Sequence, residues 1–410
     1  MKNIVFLSIL ISFSFPALSQ GDVTIEEYLG TARKDQSLEL FQAQLSFLES
    51  NKYNSPWLNR VEFRIGSEDA NVSMNEYRLR LSPSNPYEIK ANKLYYNKHV
   101  KSIGTQYKVA LNLALKNRYQ MLIDYSFLLR SIALNEQNLV MVNEIMRNIG
   151  LLGIENIDLS LIIGVQSDQT ELMLKSEELK SQLAETEYYI LLDLPNKSLE
   201  GFSSSELTSV DRIKLYLDSK EAEVEWTSLY VLDAEEDFQL KEQMLKIDKA
   251  ESRSNIGYIQ GNFDTERGNE VNEHIGFQIG VRLPIVNPDK PNLNRKRVEL
   301  IEDQKDLDAT KNFVVQKKDL TVIQLNHLIG QYQLLQNRTE LSKTISIQGG
   351  GNVDLNDVAK MKKYQFSLER ERIILERDIR ELYIEYLDIK GLLVRDPLIN
   401  YLSEDFRSIE

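Results

Sequence analysis

RLSPSNP, residues 80–86, closes a stretch of alternating apolar and charged residues and opens a long helical pattern; RLPIVNP, residues 282–288, does the same 202 residues later. Arg80-Leu81, Asn85-Pro86 and Asn92-Lys93 match Arg282-Leu283, Asn287-Pro288 and Asn294-Arg295 at that constant offset. A second echo, NIDL at 156–159 and NVDL at 352–355, lies at an offset of 196. Asp158 and Asp354 there read as helix N-caps, since a carboxylate accepts the unpaired N–H groups of a first turn. The chain is therefore two copies of one unit: helix, strand pair, long helix, turn, returning helix. Repetition on this scale outweighs any single local reading.

Most of the chain has the period of an amphipathic helix. From Pro86 to Ile149 no further proline intervenes and Gly104 is the single glycine. Leu122, Tyr125, Leu129 and Ile132, then Leu139, Val142, Met146 and Ile149, fall at steps of three and four. Near the C-terminus Leu368, Leu375, Ile379, Leu382, Tyr386, Ile389 and Leu393 share one heptad seam, with Arg372 in the gap. Glu369, Arg370, Glu376, Arg377 and Arg380 are expected on the solvated faces. Helices are predicted near 23–51, 86–149, 157–193, 208–251, 289–346 and 354–393. At about 1.5 Å per residue the second of these would reach roughly 90 Å, the length of a rod rather than of a globular domain.

Strands are predicted in two pairs, near 57–66 and 75–83, and near 255–263 and 273–284. Val61, Phe63 and Ile65 alternate with Glu62 and Arg64; Tyr77, Leu79 and Leu81 alternate with Arg78 and Arg80. Ile275, Phe277, Ile279, Val281 and Leu283 alternate with Gly276, Gln278, Gly280 and Arg282. Such lengths suit a tilted membrane strand of about 9–11 residues, with an apolar lipid face and a wet inner face. Four strands cannot close, because the smallest membrane barrels use about eight. Open edges are not tolerated in lipid, where each unpaired N–H or C=O costs several kcal/mol. Membrane strands here would require several chains to pool them. A one-faced sheet in a water-soluble α+β protein shows the same alternation. The lipid face would carry Ile275, Phe277, Ile279 and Val281. The lumen would carry Arg78, Arg80, Gln278 and Arg282, and the charges of the three arginines attract anions. Trp57 and Tyr53, at the start of the first strand, suit an interfacial aromatic belt.

Residues 1–19 read as a cleaved export signal: Lys2, an apolar run from Ile4 to Phe15, then Ala17-Leu18-Ser19. With no cysteine in the chain, disulfides, thiolate metal sites and a lipidated cysteine are excluded. An exported, unstapled chain suits a Gram-negative periplasm or outer membrane. A formal charge of −13 argues against nucleic acid as a partner.

In the order and spacing of these elements the chain resembles the TolC-like outer membrane efflux family. The marks are the duplicated strand pair, the post-strand RLPIVNP, and the helix-opening GGGNVDLNDVAKMKKYQFSLERERI. The resemblance covers the chain after the signal: a first repeat over 20–205, a second over 206–396 and a C-terminal tail over 397–410. It implies a mainly α fold with a small membrane β part, four strands per chain entering a shared trimeric β-barrel, and a periplasmic α-helical tunnel. It also implies a homotrimer in the outer membrane that docks on a periplasmic adaptor (membrane fusion) protein and an inner-membrane transporter. By the same resemblance Gly150, Leu151, Leu152, Gly153 and Gly349, Gly350, Gly351 form the adaptor-contact helix tips. Asp158, Asp354 and Asp357 would lie at the periplasmic mouth, where the family often places acidic rings.

Catalytic signals are sparse. His99, His274 and His327 stand in unrelated contexts, and Glu235, Glu236 and Asp237 read as a solvated helix face. The triple glycine at 349–351 lacks the Lys-Ser/Thr of a phosphate loop and suits a helix-hairpin turn. The expectation is a non-enzymatic duct without cofactor or metal, with a pore-free periplasmic coiled-coil scaffold as the alternative.

Overall fold

A computed structural model describes residues 23–67, 75–152, 159–195, 197–199, 207–219, 227–252, 256–264, 275–281, 290–348 and 355–409. The helices are α1 Ile25–Gly30, α2 Gln36–Ser50, α3 Pro86–Leu152, α4 Leu159–Asp193, α5 Val210–Leu217, α6 Leu229–Glu251, α7 Lys290–Gln348 and α8 Leu355–Ile389. The strands are β1 Leu58–Ser67, β2 Asn75–Pro83, β3 Ile256–Asp264 and β4 Ile275–Val281. The fold is mainly α with one small antiparallel sheet.

The duplication is visible in the packing. Helix α3, 67 residues long, is flanked by the short α2 and, further along, by α4. Helix α7, 59 residues long, is flanked in the same way by α6 and α8. Each long helix therefore runs beside two shorter ones placed end to end, the discontinuous pairing that the short N-terminal helix requires. Helix α3 also packs on α6 and α8, joining the two repeats.

Two of the predicted helices are broken. The stretch 23–51 holds α1, a 3-10 turn Thr31–Lys34 and α2. Asp35, in extended conformation (φ −63, ψ 135), ends the turn and caps α2 by accepting the Ser37 N–H at 3.0 Å. Thr24 caps α1 through the Glu27 N–H, with Glu27 at the position of a capping box. The stretch 208–251 likewise divides into α5, which ends at Leu217, and α6, which starts at Leu229.

The joints between the end-to-end helices are polar and mostly buried. Arg118 of α3 reaches Asp35 at the start of α2 (2.9 Å), Asp193 at the end of α4 (3.0 Å) and Thr31 between α1 and α2 (2.8 Å). In the second repeat Asp388, near the end of α8, accepts from Tyr230 at the start of α6 (2.7 Å) and pairs with Lys116 of α3 (2.8 Å). Asn112 of α3 also donates to Asp388. Around these joints lies the main core: Tyr28 and Leu29 of α1, Leu115, Tyr119 and Leu122 of α3, Ile190 of α4, Ile213 of α5, Leu325 of α7, and Ile379, Tyr383 and Leu387 of α8. The C-terminal segment closes it. Tyr119 donates to the Ile399 carbonyl at 2.8 Å and accepts the Tyr401 N–H, while Leu402 accepts from Thr208 N–H.

Glu376, Arg380 and Glu236, expected on solvated faces, are buried. Glu376 pairs with Arg130 and Arg380 and accepts from Tyr332 at 3.2 Å; Arg380 donates to the Thr208 carbonyl at 3.0 Å. Glu236 lies 3.0 Å from the Lys101 ammonium. Burial opposes the Glu376 charge, but the hydrogen bond from Arg130 and the charges of Arg130, Arg380 and Arg372 outweigh it, and the carboxyl titrates below its ordinary range. Its stabilisation is present above the ordinary carboxylate range and is lost as pH falls through the depressed native value. Glu376→Ala leaves two arginines uncompensated and is expected to cost about 3–5 kcal/mol at neutral pH, read from the urea midpoint. In acid the gap between wild type and variant should narrow; a gap that widens would contradict the sign.

Candidate functional site: the two-faced sheet and the helix hairpins

The strand order is β1-β2-β3-β4, so the two predicted hairpins lie side by side and pair through β2 and β3. Registers carry straight across. Ile65, Tyr77, Phe263 and Ile275 form one cross-strand row; Phe63, Leu79, Gly261 and Phe277 the next; Val61, Leu81, Ile259 and Ile279 the third. Alternation puts these rows on one face. Its side chains are bare to an unusual degree: Phe277 is 83% exposed, and Phe63, Ile65, Ile275, Ile279 and Val281 all exceed half. Tyr77 links the rows, with its ring 6.2 Å from Phe63 and 6.5 Å from Phe263.

The opposite face is polar in equal register. One row is Glu62, Arg80, Gln260 and Gln278; another is Arg64, Arg78, Asn262 and Gly276. Glu62 is clasped by Arg60 (2.7 Å) and Arg64 (2.8 Å), and Arg78 pairs with Glu76. Gln260 donates to Asn262 at 2.7 Å. Tyr258 lies against Gly280, its cross-strand partner, and the Arg80 guanidinium lies 3.6 Å over the Tyr258 ring. Nothing in the sequence pattern signals this stack. Arg282 lies outside the described residues.

At the foot of the sheet the RLSPSNP junction does double duty. Asn85 accepts the Tyr87 N–H at 3.0 Å as the cap of α3, with Pro86 in the first turn, and its amide donates to the Ala250 carbonyl near the end of α6 at 2.6 Å. One asparagine thus fixes both the exit from β2 and the approach to β3. The second junction lies outside the described residues. Trp57 and Tyr87 are both largely exposed at this level, whereas Tyr53 turns toward Tyr96 of α3 at 6.3 Å.

At the far end of the rod, Gly150, Leu151 and Leu152 form the last turn of α3. Gly153, Asp158, Gly349, Gly350, Gly351 and Asp354 lie outside the described residues. Asp357 is in the first turn of α8, 3.8 Å from Lys360, both exposed. Beside these tips a groove of about 850 Å3 opens between α3, α4 and α8, with Phe127, Val142, Val165 and Ile373 among its apolar lining. Lys363 of α8 crosses it to Asp168 of α4, at 2.8 and 2.9 Å. Local patterning does not signal the groove, since its walls come from segments far apart in the chain. His99 stacks on Tyr95 in α3 and His327 meets Gln331 in α7, so these two histidines share no site. No described helix is long and apolar enough to cross a membrane.

Solved structures share this arrangement. The open-state outer membrane channel MtrE of Neisseria gonorrhoeae aligns with a TM-score of 0.64 over 91% of this chain and 90% of that one, at 11% identity. The outer membrane channel CmeC of Campylobacter jejuni gives 0.58 over 95% and 94%, at 12% identity. The outer membrane protein VceC of Vibrio cholerae gives 0.58 over 90% and 96%, at 10% identity. No family model matches the chain, nor does any curated protein sequence. The architecture of the chain is the TolC-like one.

Two glycines on the polar face of β4 make a sharp contrast. A Cβ at Gly280 would fall 2.4–2.7 Å from ring atoms of Tyr258, whereas one at Gly276 would sit 3.6 Å from the nearest atom, Asn262 Cβ. Gly280→Ala is expected to destabilise the sheet by about 1–3 kcal/mol and Gly276→Ala by much less. Heat-denaturation midpoints in detergent check this; equal effects of the two would refute the stack.

Proposed function

We propose, from a fold shared with outer membrane channels, that this chain is one stave of an outer-membrane duct. In this reading three identical chains pool their sheets into a barrel, and their helices form a tunnel reaching into the periplasm. Solutes pass through passively, as in a tripartite efflux or type I-like secretion system. The observation that carries the reading is the sheet itself. Its apolar face is bare, and β1 and β4 each pair with one strand only among the described residues. A single copy in lipid would leave both edges unpaired, so neighbours must supply the missing strands. The polar face then lines water and the apolar rows meet lipid, with Ile275, Phe277, Ile279 and Val281 outward and Arg78, Arg80, Gln278 and Arg282 inward. Trp57 and Tyr87 sit at the level of an interfacial belt.

The helix tips at 150–153 and 349–351, with the groove beside them, form the docking end for a periplasmic adaptor protein that leads to an inner-membrane transporter. Asp158, Asp354 and Asp357 surround the periplasmic mouth. The groove supports this assignment, because a hydrophobic furrow between helices accepts the apolar face of a partner helix.

Outer-membrane fractions should yield a heat-labile trimer on mild detergent electrophoresis, and the purified protein should give single-channel conductance in planar bilayers. Monomer in the soluble periplasm, or a trimer without conductance, would favour a pore-free scaffold and end the duct reading. Phe277→Arg, on the inferred lipid side, should block assembly at a cost of about 2–4 kcal/mol near the midplane, whereas Gln278→Arg should assemble normally. Equal tolerance of both would reverse the assignment of faces.

A further inference from the structure

The arginines on the polar face of the sheet are not equivalent. Arg60 and Arg64 share Glu62, and Arg78 has Glu76. Arg80 stands opposite Glu62 in the β1–β2 register, but that carboxylate is already held from both sides. No described carboxylate lies within ion-pair distance of Arg80, and its Nε is buried without a hydrogen-bond partner. Its guanidinium rests on the face of Tyr258, and the ring can lie there because residue 280 has no side chain. A cation over an aromatic face is held by the ring's quadrupole, which does not cancel the positive charge. The stack therefore fixes a charge on the wall without neutralising it. By contrast, the acid partners of Arg60, Arg64 and Arg78 offset much of theirs.

We propose that Arg80, held on Tyr258, is a selectivity residue that makes the barrel wall favour anionic over cationic solutes of equal size; this rests on the duct reading. In pooled sheets each copy contributes the same cation at the same height, and a ring of like charges in a narrow wet pore concentrates counter-ions and repels co-ions. Tyr258 keeps each guanidinium at the wall, beyond ion-pair distance of the neighbouring Glu62, which Arg60 and Arg64 already hold.

The test is the reversal potential of the full-length protein in planar bilayers under a potassium chloride gradient. Arg80→Gln should move it toward cations, Arg80→Lys should stay near wild type, and Gln278→Arg should move it toward anions. Gln278 shares the Arg80 cross-strand row, so its variant reports on that height even where Arg80→Gln fails to assemble. Conducting channels whose reversal potential is the same in wild type, Arg80→Gln and Gln278→Arg would overturn this inference alone. Absence of any wild-type conductance would overturn the duct reading and this inference with it.

Discussion

The pairing of β2 with β3 is the contact on which the rest of the molecule depends. Each hairpin alone is a two-stranded ribbon, marginal in water and unsatisfied along both edges in lipid. Joined from Glu76 opposite Asp264 to Leu81 opposite Ile259, they become one sheet with unmixed faces. A slip of one residue at this seam would put Arg80 and Gln260 on opposite faces and destroy both the apolar rows and the Arg80–Tyr258 stack. The seam also sends the helices of both repeats from the same end of the sheet. Asn85 secures that geometry by capping α3 while holding the end of α6.

The helical rod meets a different constraint. A helix of 67 residues needs a partner along its length, and two shorter helices laid end to end leave unpaired backbone groups where they abut. The chain answers with charged side chains at each joint. Arg118 serves the end of α4 and the start of α2; Asp388, with Lys116, Asn112 and Tyr230, serves the end of α8 and the start of α6. Each joint draws on three elements, so its hydrogen bonds and ion pairs form together in one relative placement of them. The buried Arg130–Glu376–Arg380 cluster extends the same logic along α8.

Period-two alternation made the strands legible, because a sheet with one apolar and one polar face writes both directly into sequence. The long helices were legible from uninterrupted 3.6 periodicity. The breaks were not: GTARKD reads as helix until Asp35 is seen as a cap, and 208–251 continues in phase past Leu217. Nor was the burial of Glu376, Arg380 and Glu236, since a charge beside an apolar seam looks solvated until its partner is known. Arg130 and Glu376 stand 246 residues apart. The same distance in sequence hid the groove between α3, α4 and α8, and the stack of Arg80 on Tyr258.

The two free edges of the sheet differ in a way that bears on closure. Along the polar face β1 carries Arg60, Glu62 and Arg64, while β4 carries Gly276, Gln278 and Gly280. On the concave side of a cylinder side chains converge, so neighbouring strands fit best when one is bulky and the next is small. A β4 edge thinned by glycine can accept the β1 edge of another copy with its three long side chains. Within each chain Tyr258 already exploits the same space over Gly280. On the convex side crowding is relieved, and there both edges keep full-sized apolar groups: Val61, Phe63 and Ile65 on β1, Ile275, Phe277 and Ile279 on β4. In the closed wall proposed above, the side chains of the two edge strands β1 and β4 match the inner and outer radii, while Gly261 of the inner strand β3 stands on the apolar face and departs from that pattern.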